Sequence, residues 1–385
     1  MNEKELKALL VTRSSEDLAF LTLRAALRVL PSRLVNWKYS RKRKEGEAGL
    51  LELKLLLMAA VTLKFSKPNF FLFDLGDFEA IEYADTIFSA LGSIVKSNSV
   101  EVHDSNFTQR IAYTFDVFYH MSYQSEVEPK SQTAAGDLGK EEAIHAFEQD
   151  VGICAAGKHD LNLALWHGQS RPLGWHHIEA DAFSLLAEEI DDPNSFWRRW
   201  YSSAVSGKWI DWDLQRDVAH ISASIWRQGH KAVAEEIARI EERHDLRLQV
   251  AALRAQLEAA LQTQTQTAST QARAHNNPPE VIDAEAESRG KIVALVQTLA
   301  ETEAELAKLA PDKSRLRALA EALRDGALSI LRYCGGLADT AAQEAAKSIG
   351  KWAGAAATLY LGSEPVLAGV AKIAETVLAY ASRLP

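Results

Sequence analysis

The sequence predicts an all-α protein of at least two modules. Three observations carry that expectation. Apolar residues recur near the 3.6-residue helical period over long stretches. The segment from Lys231 to Gln262 contains neither glycine nor proline. A polar, low-complexity segment then separates two groups of such helices. The predicted architecture is a multi-helix N-terminal domain, a long helix, a flexible linker and a C-terminal helical bundle or hairpin.

Leu6, Leu9 and Leu10, then Leu18, Leu21, Leu23, Ala26, Leu27 and Leu30, keep helical spacing over residues 2–30, and Pro31 is expected to end the run. A basic run follows at Lys38, Arg41, Lys42, Arg43 and Lys44, and an apolar helix is expected from Glu47 to Lys64. The aromatic stretch between Pro68 and Phe78 reads as a buried connection or short strand. Helices are expected over 80–97, 106–123 and 140–155, with a loop at 124–139, where Ser, Gln, Glu, Pro and Gly cluster.

Seven of the nine tryptophans lie between Trp166 and Trp226, in short helical pieces punctuated by Pro172, Gly174, Pro193 and Gly207. Lys231–Gln262 reads as one long helix. Its apolar positions Val233, Ile237, Ile240, Val250, Leu253, Leu257 and Leu261 form a coiled-coil-like seam with a phase break near His244. Residues 263–282 cannot bury enough apolar surface to offset their ordering entropy and read as a flexible linker. Two amphipathic helices, 283–309 and 312–332, are expected on either side of Pro311. The domains predicted are therefore 1–160, 161–262 (rich in tryptophan) and 283–385, with the linker between the last two.

Composition bounds the function. The 385 residues include 47% hydrophobic and 25% charged side chains, as in folded globular chains. A net charge of −9 opposes nucleic-acid binding, and no nucleic-acid partner is expected. Cys154 and Cys334 form neither a metal spacing nor a disulfide framework. The N-terminal residues lack the apolar core of a signal peptide, and no stretch of 18 apolar residues predicts an ordinary membrane span. The expected location is the cytoplasm or the periphery of the inner membrane.

Phosphate-loop, dinucleotide, nucleophile-elbow and zinc-protease motifs do not occur, so no catalytic residue, metal ligand or cofactor is assigned. Glu141, Glu142, His145 and Glu148 share a predicted helix, with Glu141 and His145 four apart; a solvated face with an i, i+4 pair explains them more simply. Convergence of Glu141, His145 and a further carboxylate in one pocket would favour an enzyme. His159-Asp160, His167 and His176-His177, with Glu179 or Asp181, read as structural or surface groups. The basic run is read as a solvated helix end or loop.

Trp197, Trp200 and Tyr201 lie three and four residues apart, and Trp209 and Trp212 repeat the spacing. Aromatics so placed form a core between two helices; a partner-binding groove made of the same five residues is the sharper alternative. The pattern of Leu165-Trp166, Pro172, Phe196-Trp197-x-x-Trp200-Tyr201, Gly207, Ile210 and Trp212, followed by His275-Asn276-Asn277-Pro278-Pro279-Glu280 and Gly350-Lys351-Trp352-Ala353-Gly354, resembles Ala-rich proteins of alphaproteobacteria. The resemblance covers roughly residues 160–385. It implies a modular role and carries over no catalytic residue.

The tail carries little charge: within 352–371 only Glu364 is ionised. A break at Gly362-Ser363-Glu364-Pro365 predicts a helical hairpin of Ala353–Leu361 and Val366–Tyr380. Small residues such as Gly350, Gly354, Ala356 and Ala357 permit close helix packing. The tail is read as the core of a bundle with 283–332, as an oligomerisation module, or as a segment that inserts into a bilayer. Trp352, Leu359, Leu361, Val366 and Leu367 are the residues that would make the oligomeric or membrane contact. The function expected is that of a non-enzymatic interaction and assembly protein, binding a protein partner or itself. The alternative is a membrane-active effector, pore-forming or anchoring, that touches a bilayer conditionally through residues 333–385.

Overall fold

The computed structural model describes residues 14, 17, 20–21, 23–28, 30–31, 45–65, 145–166, 195–271, 279–345 and 354–384. Within these, only the backbone is described at 45–52, 55, 62, 263–271, 279–288, 333–345 and 354–364. The expectations for 38–44, 68–139, Glu141, Glu142, residues 167–194 and Trp352 fall outside the described residues, as do the side chains of Leu359 and Leu361.

No strand occurs among the described residues, and the all-α expectation holds. The helices are α1 (residues 20–31), α2 (Glu45–Phe65), α3 (145–155), α4 (Phe196–Ser206), α5 (Trp212–Ala219), α6 (Ala223–Trp226), α7 (His230–Gln271), α8 (Pro279–Leu306), α9 (Lys313–Ala345) and α10 (Gly354–Arg383). They fall into two compact units divided within α7, Met1–Ala238 and Arg239–Pro385. Within the first unit, Leu165 N–H donates to Val205 O at 2.9 Å and Trp209 Nε1–H to Leu161 O at 2.6 Å, tying the 157–166 loop to α4 and the turn after it.

In the first unit, α1 and α2 are central helices. Leu21, Leu23, Leu27 and Leu30 of α1, and Leu53, Leu57, Met58 and Val61 of α2, are all buried, the pattern of helices enclosed on every side. Helix α2 packs on α5. The Lys54 ammonium sits 5.1 Å from the Trp226 ring centre and that of Lys64 5.4 Å from Trp212, so both amines are held over aromatic faces.

The second unit is an antiparallel four-helix bundle made of α8, α9, α10 and the part of α7 that follows Ala238. Arg243 at the start of this part donates to Leu309 O just beyond α8, at 2.7 Å. Glu242 pairs with Arg383 at the end of α10, and Lys313 at the start of α9 donates to Leu384 O. Each helix therefore runs opposite to the one before it. Leu246, Val250 and Leu257, Ile292, Leu295 and Leu299, Leu316, Leu323 and Ile330, and Leu367, Val370, Ile373 and Val377 form one core. Their three- and four-residue spacing is that of interlocking bundle helices. A Cβ at Gly369 would stand 3.1 Å from Leu253 Cδ2, so glycine lets α10 approach α7 closely. Glu305 closes the α8–α9 turn by accepting from Lys308 Nζ at 2.6 Å and Asp312 N–H at 2.8 Å. Burial would raise its carboxyl, but these two bonds hold it below the usual carboxylate range.

Two expectations need correction. The tail is not a hairpin: α10 runs unbroken from Gly354 to Arg383 with Pro365 inside it. Proline removes one helical hydrogen bond, but the packing of Leu367 to Leu384 against the bundle keeps the chain helical beyond it. Of the residues expected to form the linker, 263–271 continue α7, and 272–278 lie outside the described residues. No glycine or proline interrupts the Gln/Thr/Ala run, and a helix already nucleated propagates at little cost. Pro279 opens α8 at a position where its missing N–H costs nothing.

Candidate functional site

The chemistry of the first unit concentrates where α1, α3 and the 157–166 loop meet. Arg24 and Arg28 stand one turn apart on the otherwise apolar α1, and both are buried. Arg24 Nε–H donates to Asp150 Oδ1 at 2.8 Å, and Arg28 Nη1 lies 2.6 Å from Asp150 Oδ2. The remaining donors are aimed at the loop backbone: Arg24 to Leu163 O at 2.9 Å and Ala164 O at 2.8 Å, Arg28 to Leu165 O at 2.6 Å. One fully buried carboxylate on α3 thus holds two guanidiniums, which in turn hold three consecutive carbonyls. Burial pushes the Arg24 pKa down and Asp150 pushes it back up, while Arg28 opposes the charge. Guanidinium is too weak an acid to lose its proton here.

Beside this cluster lies a second. Ser14 and Asp17 cap the start of the helical segment reciprocally: Ser14 N–H donates to Asp17 Oδ2 and Asp17 N–H to Ser14 Oγ, both at 3.1 Å. The other Asp17 oxygen lies 2.5 Å from His159 Nε2. Burial alone would raise the Asp17 carboxyl; the bonds from His159 and Ser14 outweigh it and hold the group below the usual range. Phe20 meets the His159 ring edge-on at 5.8 Å. Cys154, a buried thiol at the end of α3, completes the group. Ligand atoms of Asp17, Cys154 and His159 all lie within 4.8 Å of one another.

The aromatic residues divide. Trp197, Trp200 and Tyr201 are buried. Trp197 stacks edge-on against Phe196 and Trp200, with centroids 5.1 and 6.0 Å away. Trp200 Nε1–H donates to the buried Gln215 Oε1 at 2.9 Å. These three belong to the core and offer no surface to a partner. Trp209 and Trp212, with centroids 5.1 Å apart, keep partial exposure. In the tail, Leu367 is buried and Val366 half-buried in the bundle. His145 is exposed and faces Glu148 at 3.9 Å, as expected of a solvated helix face.

Sequence reasoning missed Asp17, Arg24, Arg28, Asp150 and Cys154. Two arginines four residues apart inside an apolar run, and the Ser14-x-x-Asp17 capping pattern, were the available signals. It singled out His159 but paired it with Asp160, whose carboxylate instead accepts from the N–H and side chain of Asn162, both at 2.9 Å. Comparison of the chain with protein-family models, curated proteins and solved structures yields no match.

Proposed function

We propose that the chain is a non-enzymatic interaction and assembly protein whose C-terminal bundle holds a second copy of the same chain. The observation that carries this reading is the use made of α10. Its apolar residues Leu367, Val370, Ile373, Ala374, Val377 and Tyr380 are buried against α7, α8 and α9 of the same chain. The apolar residues named are thereby withheld from lipid, and no helix among the described residues is long and apolar enough to cross a membrane. The bundle then serves as a rigid platform, on which Leu248 of α7 and Val293 of α8 are each 49% exposed. Isolated exposed leucines and valines are ordinary, but on helical rods they supply the apolar centre of a side-by-side contact.

The reading is tested by light scattering on the full chain over a wide concentration range. The mass is expected to rise above that of one chain as concentration increases. Leu248→Glu and Val293→Glu, which leave the core untouched, are each expected to weaken the association by about tenfold or more. Circular dichroism should show both variants folded. A single-chain mass at every concentration defeats the proposal.

A further inference from the structure

We infer that Asp17, Cys154 and His159 form a binding site for one thiophilic divalent cation, with Zn2+ the ion of matching chemistry. The donor set is the first argument. Thiolate, imidazole and carboxylate together select borderline-soft ions over Mg2+ and Ca2+, which prefer oxygen alone. The placement is the second. The three residues come from the start of the helical segment before α1, the end of α3 and the loop after it, yet their ligand atoms lie within 4.8 Å of one another. Donors around a tetrahedral zinc ion sit about 3–4 Å apart, given metal–ligand bonds of about 2.0–2.3 Å. The gap is closed by small side-chain rotations, in which Asp17 and His159 exchange their direct 2.5 Å bond for bonds to the ion.

Accessibility and charge support the same assignment. Cys154 is buried, whereas the His159 and Asp17 side chains keep 23% and 13% of their surface exposed. An ion entering from solvent meets imidazole and carboxylate first and the thiolate at the floor, with water in the fourth position. The thiolate and carboxylate cancel both charges of the ion. The loaded site is therefore neutral beside Arg24, whose guanidinium is already engaged by Asp150. Phe20 and the Ser14 cap fix the imidazole and the carboxylate in place. Binding displaces the thiol proton and any proton shared between His159 and Asp17, so affinity rises with pH.

The test uses tag-free, full-length protein, exposed to Zn2+, desalted and assayed for metal content, and in parallel reconstituted with Co2+. One equivalent of zinc per chain is expected. So is a sulfur-to-cobalt charge-transfer band that Cys154→Ser abolishes and Cys334→Ser leaves in place. His159→Gln and Asp17→Asn should each lower zinc affinity by about 10–100-fold while the far-ultraviolet dichroism is unchanged. Substoichiometric zinc in the parent protein overturns the inference, as does a cobalt band that survives Cys154→Ser. Should Cys154→Ser fail to fold, unaltered zinc affinity in folded His159→Gln overturns it equally.

Discussion

Asp150→Ala is expected to lower the stability of the N-terminal unit by about 3–5 kcal/mol. The carboxylate is fully buried between two guanidiniums that are themselves 4% and 1% exposed. Removing it takes away the carboxylate that two buried guanidiniums about one helical turn apart share, which is far costlier than losing one exposed ion pair. The damage spreads, because Arg24 and Arg28 also hold Leu163, Ala164 and Leu165 by their carbonyls. Since domains have only about 5–15 kcal/mol in hand, partial unfolding at physiological temperature is expected. Denaturant titration followed by tryptophan fluorescence reads the loss directly, because the aromatic cluster lies in the same unit. Arg24→Met combined with Asp150→Leu should be less harmful than the sum of the two changes, since only Arg28 then loses the shared carboxylate.

Gly207→Ala is the second large effect, on the order of 4 kcal/mol. Gly207 ends α4 with φ 70°, and the termination is of the Schellman type: Gly207 N–H donates to Ala204 O at 3.2 Å and Lys208 N–H to Ser203 O at 3.0 Å. Any side chain pays for the left-handed conformation there. The larger cost is steric. A Cβ would fall 2.2 Å from Asn162 O and 2.8 Å from Ala164 N, both backbone atoms of the loop that the two arginines hold. Gly157 provides the control. Its φ is 67°, but nothing lies within 4 Å of its added Cβ, so Gly157→Ala should cost only the conformational part, about 1–2 kcal/mol. Equal losses at the two positions in thermal or denaturant unfolding would mean that the loop does not pack against α4 as described.

What the sequence made legible follows from the range of the forces involved. Helix periodicity is local, so the courses of α2 and α8 and the start of α9 could be read within a few residues, whereas α9 runs on to Ala345, well past the expected end at 332. The three- and four-residue spacing of Trp197, Trp200 and Tyr201 likewise pointed to the core in which they lie. The reading of the tail as a bundle core with 283–332 matches the placement of Leu367 to Tyr380. Where local preference and tertiary packing compete, it failed. Pro365 and its neighbours have every property of a helix break, yet the bundle contacts beyond them keep α10 in one piece. The Gln/Thr run after Gln262 is low in complexity, but nothing in it forbids a helix from continuing to Gln271. The polar clusters were the least legible. Arg24 meets Asp150 across 126 residues and His159 meets Asp17 across 142, and no periodicity links positions so far apart.

Residues Leu367 to Tyr380 of the C-terminal apolar segment are packed in the core of their own bundle. Hydrogen exchange of the full chain, with and without anionic vesicles, tests this placement most directly. Amides of residues 367–383 in α10 are expected to be protected to the same degree as those of 316–330 in α9, with or without lipid, because the two helices share one core. Rapid exchange of 367–383 in solution, with protection gained only when vesicles are added, would contradict the account and make the segment a membrane effector.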